Sequence, residues 1–219
     1  MSNSKRFAVV LAGCGVYDGA EIHEATMTLY AIALEGATYE IFAPNIPQHH
    51  VVNHITGEEM NEKRNVLVEA ARVARGNIKP LSDYDPNNFD ALIFPGGFGV
   101  AKNLCTFAFE GVYCSVNPEV ENAILRTHAI KKPIGALCIS PVLLAKVLKK
   151  GCLTIGSDDT TANAIEQLGA KHQSTQHGQV AVDKENLLFT TPCYMLNSSI
   201  VDIADDAKAV VREMVNHIK

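Results

Sequence analysis

Apolar residues fall in short blocks along this chain, and continuous runs alternate with spaced ones. Phe7 to Ala12 is an unbroken β-prone run, the pattern of a strand buried on both faces. It leads into Gly13-Cys-Gly-Val-Tyr-Asp-Gly19, a glycine-rich turn. From 22 to 34, apolar positions at Ile22, Ala25, Leu29, Ile32 and Ala33 recur near helical spacing, and Gly36 is placed to end that helix. Thr38 to Ala43 reads as a second strand, stopped by Pro44. Residues 44–64 are polar, with two prolines and three histidines, and fit an excursion over the surface. Val66 to Ala74 is helical by pattern, with Gly76 as its stop. Asp90 to Phe94 is another buried strand, running into the turn Pro95-Gly-Gly-Phe-Gly99.

Pro118 to Ala129 reads as a helix, Pro133 to Leu137 as a strand, and Val142 to Leu148 as the helix after it. Leu153 to Ile155 is a short strand and Thr160 to Leu168 a helix closed by Gly169. Val180 to Val182 and Leu187 to Thr190 form a hairpin around Asp183-Lys-Glu-Asn186. Ser198 to His217 gives the clearest helix, with Ile203, Ala207, Val210, Val211, Met214 and Val215 on one face. Strand-helix alternation without a repeat or linker predicts one α/β domain over 1–219. Its architecture is a three-layer sandwich, a mostly parallel sheet with helices on both faces.

Composition narrows the function classes. Of the 219 residues 47% are hydrophobic, enough for a core without metals or cross-links. A net charge of −5 and the absence of any Lys/Arg run argue against nucleic acid as partner. No run approaches the ~20 apolar residues of a membrane span, and the apolar run at the N-terminus is too short for a secretory signal. Six scattered cysteines without a CxxC pair read as reduced thiols. The expectation is a soluble, cytoplasmic protein.

The chemistry concentrates at Cys138. It ends an apolar run, a helix start follows, and small residues stand two before and two after it, Ala136 and Ser140. That is the pattern of a nucleophile elbow, a tight strand-to-helix turn that exposes its central side chain. Pro141 suits the first helical turn, and the helix N-terminus would favour a thiolate. The Gly13–Gly19 turn with Glu21, the Pro95–Gly99 turn and Cys138 all follow strands, so they should meet at one sheet edge, where such folds bind ligands. Glu21 is the expected carboxylate neighbour of the thiol. Gly96, Gly97 and Ile139 are the candidate backbone donors to an oxyanion, and Cys14, Gly15, Asp158 and Asp159 are candidate lining residues. The first turn departs from G-x-G-x-x-G and no acidic residue ends the second strand, so no nucleotide cofactor is expected. His49, His50 and His54 lack zinc spacing and read as polar surface residues, so no metal is expected.

These residues resemble the ElbB family (enhancing lycopene biosynthesis, or sigma cross-reacting, proteins) of the PfpI/ThiJ, class I glutamine amidotransferase-like superfamily. The blocks are Gly13 to Glu24, Val52 to Gly57, Arg64 to Ala71, Pro95 to Leu104 and Thr190 to Leu196. The resemblance implies a flavodoxin-like sandwich, Cys138 as nucleophile with Glu21 beside it, and a link to isoprenoid biosynthesis. It also suggests a cofactor-independent glyoxalase that converts glyoxal, a small aldehyde, to glycolate through a Cys138 hemithioacetal. Folds of this kind commonly form homodimers. The chain departs from the amidotransferase branch, since no His-x-Glu follows Cys138, and from the peptidase branch, since Ile139 stands where histidine would be. About twenty residues on, where other glyoxalase-like branches place a histidine, stands Asp158. The alternative is a redox-sensing or regulatory protein that oxidises Cys138, with Cys14 as resolving thiol.

Overall fold

The computed structural model describes residues 4–218. Its first half runs β1 (Arg6–Val10), α1 (Ile22–Leu34), β2 (Thr38–Ala43), α2 (Val66–Val73), β3 (Lys79–Pro80) and β4 (Ala91–Phe94). Next come α3 (Phe107–Glu110), α4 (Pro118–Ala129), β5 (Ile134–Leu137), α5 (Pro141–Leu148) and β6 (Cys152–Leu153). After these follow α6 (Asp159–Gln167), β7 (Lys171–His172), β8 (Ala181–Asp183), β9 (Leu188–Thr191) and α7 (Ile200–His217).

Among the described residues, seven strands pair in the order β3-β2-β1-β4-β5-β9-β8. Every pairing in this sheet is parallel except that of β8 with β9. Alternating side chains of β1 and of the two residues after it show why the sheet must be covered twice. Phe7, Val9 and Leu11 enter one buried cluster with Ile203, Val210 and Met214 of α7; Ala8, Val10 and Ala12 enter the other with Ile124, Leu143 and Leu144. The result is the expected flavodoxin-like three-layer α/β sandwich. Each fully buried Leu, Ile or Phe contributes roughly 1.5–3 kcal/mol as an upper bound.

Most element boundaries follow local signals. Gly36 and Gly76 take positive φ, +71° and +80°, just beyond α1 and α2. Asn117 caps α4, its side chain accepting from Glu119 and Val120 N–H, with Pro118 at the first position. α7 starts two residues later than its apolar pattern implies, because Ser199 and Asp202 form a reciprocal capping box. The strand expected at 153–155 is shorter and leaves the main sheet to pair with β7. A π-helical turn, Val100–Leu104, carries no sequence period and was not expected; such turns often sit at functional sites.

Candidate active site

β5 ends at Leu137 and α5 begins at Pro141, so the chain reverses within three residues. Cys138 sits at the apex with φ +59°, a left-handed conformation that costs an L-residue about 1–2 kcal/mol. Its N–H bonds Thr191 O of β9 at 3.0 Å, and Ser140 N bonds Leu137 O at 2.9 Å. Ser140 is buried and its hydroxyl donates to Pro95 O at 2.8 Å, which ties the elbow to the second glycine turn. A small hydroxyl residue is therefore required there for a bond as well as for space.

The three expected motifs meet at this edge of the sheet. Glu21 N donates to Gly96 O at 2.9 Å, Phe98 N to Val16 O at 2.8 Å and Gly99 N to Gly19 O at 2.9 Å. A Cβ at Gly96 would lie 2.6 Å from Glu24 Oε2 and collide with the Cys138 side chain, so only glycine permits this approach. Gly97 has φ +105° and its backbone packs on Gly19 to Glu21.

The carboxylate in contact with the thiol is Glu24, and this corrects the expectation for Glu21. Glu24 is fully buried; Oε2 accepts from Gly96 N at 2.9 Å and Oε1 from Tyr194 N at 3.2 Å. The Cys138 side chain packs at the same turn, so that a Cβ at Gly96 would meet both groups. Glu21 instead caps α1, its Oε2 accepting from Glu24 N at 2.7 Å, while it also lines the pocket. Burial, reinforced by the Glu21 carboxylate, pushes the Glu24 pKa up to about 8. Burial and then Glu24 push the Cys138 thiol well above its ordinary value, against the N–H groups of Gly97 and Ile139 that face the sulfur. Desolvation therefore opposes the thiolate that the helix N-terminus was expected to favour.

Two of the three expected backbone donors, Gly97 and Ile139, act on the thiol in the direction that favours negative charge there. Gly96 does not serve, since its N–H is spent on Glu24. The proposed lining residues fall elsewhere. Asp158 is exposed and caps α6, its carboxylate accepting from Thr161 N at 2.7 Å, and neighbouring Asp159 is exposed as well. Helix capping therefore occupies the position where a base histidine was sought. Cys14 is half-buried against Gly19 and does not line the pocket, burial raising its thiol pKa, and Gly15 packs against His54. Another cysteine, Cys193, is fully buried nearby, and burial, then Glu24 and Asp206, raise its pKa. The polar excursion acts as a brace for the first turn, because Asp18 Oδ2 accepts from Val52 N at 2.7 Å and His54 Nε2 from Tyr17 N at 3.2 Å.

Cys138 is 7% exposed and opens on a pocket of about 450 Å³. Phe98, Ala101, Phe107, Ile139, Tyr194 and Met195 form much of its wall. Sequence reasoning missed Glu24 and Tyr194. Glu24 had a signal, since it shares the inward face of α1 with Thr28 and Ala31 at helical spacing. Tyr194 arrives from the far end of the chain, with its hydroxyl 2.8 Å from His23 Nδ1, and had no local signal.

A second cluster lies between the β7–β8 connection and α7. Asp206, fully buried, is 3.1 Å from His177 Nδ1 and accepts from Gly178 N at 2.5 Å and Cys193 N at 3.1 Å. Ser198 Oγ stands 3.2 Å from His177 Nε2, and also 2.9 Å from Cys193 O and 2.8 Å from Leu196 O. Burial raises the Asp206 pKa despite these donors. For His177, burial opposes the charge, but the Asp206 carboxylate outweighs it and the pKa moves up.

Comparison with known proteins completes the picture. No protein-family model matches the chain. It is 47% identical over 220 residues to the rat protein named "ES1 protein homolog, mitochondrial", covering 96% of this chain and 83% of that one. It is also 47% identical to the human "Glutamine amidotransferase-like class 1 domain-containing protein 3, mitochondrial", covering 96% and 82%. The crystal structure of an isoprenoid biosynthesis protein with amidotransferase-like domain from Ehrlichia chaffeensis superposes with a TM-score of 0.93 at 36% identity, covering 99% and 100%. The mitochondrial names of the curated relatives overturn the expectation of a cytoplasmic protein.

Proposed function

Because this chain belongs to the ElbB-like ES1 family of glutamine amidotransferase-like class 1 proteins, we propose that Cys138 and Glu24 form the catalytic pair of a cofactor-independent glyoxalase. The observation that carries the reading is a fully buried carboxyl group, Glu24, set beside the Cys138 thiol across the Gly96 turn, with a pKa raised to about 8.

In the reactive form the pair holds one proton. Cys138 Sγ attacks an aldehyde carbon of glyoxal as its proton passes to the Glu24 carboxylate. The carbonyl π electrons move to oxygen, where the Gly97 and Ile139 N–H groups stabilise them. Glu24 returns the proton to that oxygen and gives the hemithioacetal. It then removes the C–H proton of the same carbon, and the enediol is reprotonated at the adjacent carbon. The product is a 2-hydroxy thioester, which water cleaves to glycolate and free thiol. One carbon is oxidised and its neighbour reduced, so no external electron acceptor enters. The Glu24 carboxylate supplies the base that a histidine supplies in amidotransferase chemistry. Burial and the raised thiol pKa count against the redox-sensing alternative, which needs an accessible thiolate.

Glycolate formation from glyoxal tests the assignment. Cys138→Ala should abolish turnover, and Glu24→Gln should lower it at least about a hundredfold. Glu21→Gln should lose far less. Turnover surviving in Cys138→Ala, or a larger loss in Glu21→Gln than in Glu24→Gln, overturns it.

A further inference from the structure

The edge of the sheet opposite the elbow holds another cavity. Cys138 lies past the carboxyl end of β5, whereas Lys131 precedes that strand and Lys184 to Leu187 turn into β9, whose Leu188 pairs with Ile134. At these amino ends a cavity of about 620 Å³ opens, within the roughly 300–1,000 Å³ typical of small-molecule sites. Lys131, Lys150 and Lys184 line it with His128 and His217, against one carboxylate, Glu185.

The chain as a whole carries a net charge of −5, so this gathering of ammonium groups runs against the overall balance. None of the three lysines has an ion-pair partner among the described residues, whereas Lys79 meets Glu40 and Lys208 meets Asp205. Lys131 also holds φ +56°, a left-handed backbone whose strain exceeds what a helix C-terminus typically returns to one nearby cation. Glycine would be relaxed there, as Gly36 is after α1. Helix capping alone therefore does not account for the lysine.

We propose that this cavity binds a small molecule bearing phosphate groups. Ammonium groups act as point charges on phosphoryl oxygens, and among the described residues that line the cavity there is no arginine to offer the planar fork of a carboxylate clamp. The imidazoles of His128 and His217 add N–H donors, and Ala129 and Leu187 give an apolar surface to the organic part. The basic groups converge on one hollow instead of running along a face, which favours a small anion over a nucleic-acid strand.

Calorimetric titration of the full chain with pyrophosphate tests this. One site is expected, weakened by salt and weakened about tenfold by Lys131→Gly. Because glycine relaxes φ +56°, that variant should melt no lower than the wild type, so its lost binding is not a lost fold. Lys208→Gln, on α7 beside Asp205, should bind as the wild type does. A second readout is the titration of the histidine rings by NMR. Burial and then Lys150 lower the His128 pKa, while Asn186 and Asp183 raise it. Bound pyrophosphate opposes Lys150 and should move that pKa up, leaving His23 beside Tyr194 unmoved. None of these readouts involves Cys138 or its turnover. No binding at roughly 1 mM pyrophosphate, equal losses in Lys131→Gly and Lys208→Gln, or an unmoved His128 overturns the proposal. A single-stranded oligonucleotide that binds more tightly than pyrophosphate, with the same loss in Lys131→Gly, overturns the small-molecule assignment.

Discussion

At the elbow, a thiol and a buried carboxyl group stand side by side next to an open pocket. At the foot of α7, Ser198, His177 and Asp206 line up as hydroxyl, imidazole and carboxylate, the order familiar from hydrolases. By residue type the second cluster looks more catalytic than the first. Its bonding says otherwise. The single Ser198 proton faces two backbone carbonyls, and Asp206 is saturated by two N–H groups and the imidazole. At the elbow, the N–H groups of Gly97 and Ile139 have no backbone acceptor among the described residues and favour negative charge at the sulfur, so they are free for an oxyanion. Unspent hydrogen-bonding capacity next to a cavity distinguishes a reactive cluster from a brace. The two are linked, because Asp206 holds Cys193 N while the next residue, Tyr194, gives its N–H to Glu24.

The comparison can be broken most severely at Asp206. Asp206→Ala leaves a histidine and two N–H groups without their partner and should cost roughly 3–5 kcal/mol in urea unfolding. A loss below about 1 kcal/mol would show that the cluster is no brace. Next comes the pH dependence of the elbow. Glu24 acts as base only when deprotonated, and its pKa is raised to about 8. The kcat/KM for glyoxal should therefore climb about tenfold per unit up to about pH 8 and then level off. A flat profile between pH 6 and 8 would remove Glu24 from that role.

A smaller effect separates strain from chemistry. Cys138→Gly should be about 1 kcal/mol more stable than Cys138→Ala, since glycine accepts φ +59° and alanine does not; equal melting temperatures would argue against stored strain. The smallest belongs to Ser198→Ala, which should cost about 1 kcal/mol or less with glyoxal turnover intact. Lost turnover there would make the second cluster part of the reaction.

The fold was readable wherever a signal is local. Gly36, Gly76 and Pro118 punctuate helices by backbone chemistry alone, and the runs of β1, β4 and β5 announce a sheet covered on both faces. The elbow was readable for the same reason, as small residues around Cys138 act within a few positions. Choosing between Glu21 and Glu24 required the rotational setting of α1 against the Gly96 turn, which depends on packing with α7. Asp158 misled because a helix cap and a catalytic carboxylate look alike in one dimension. The low-pKa thiol was misread because helix-end electrostatics is visible in sequence and desolvation is not.

The ends of the sheet carry one more consequence. At one side β3 is only two residues and includes Pro80, which offers no N–H; at the other β8 is three residues and ends in Asp183. Neither provides a long, flat ladder on which a foreign strand could grow. At high concentration or during refolding, the short edges of this sheet therefore give little purchase for amyloid-like stacking.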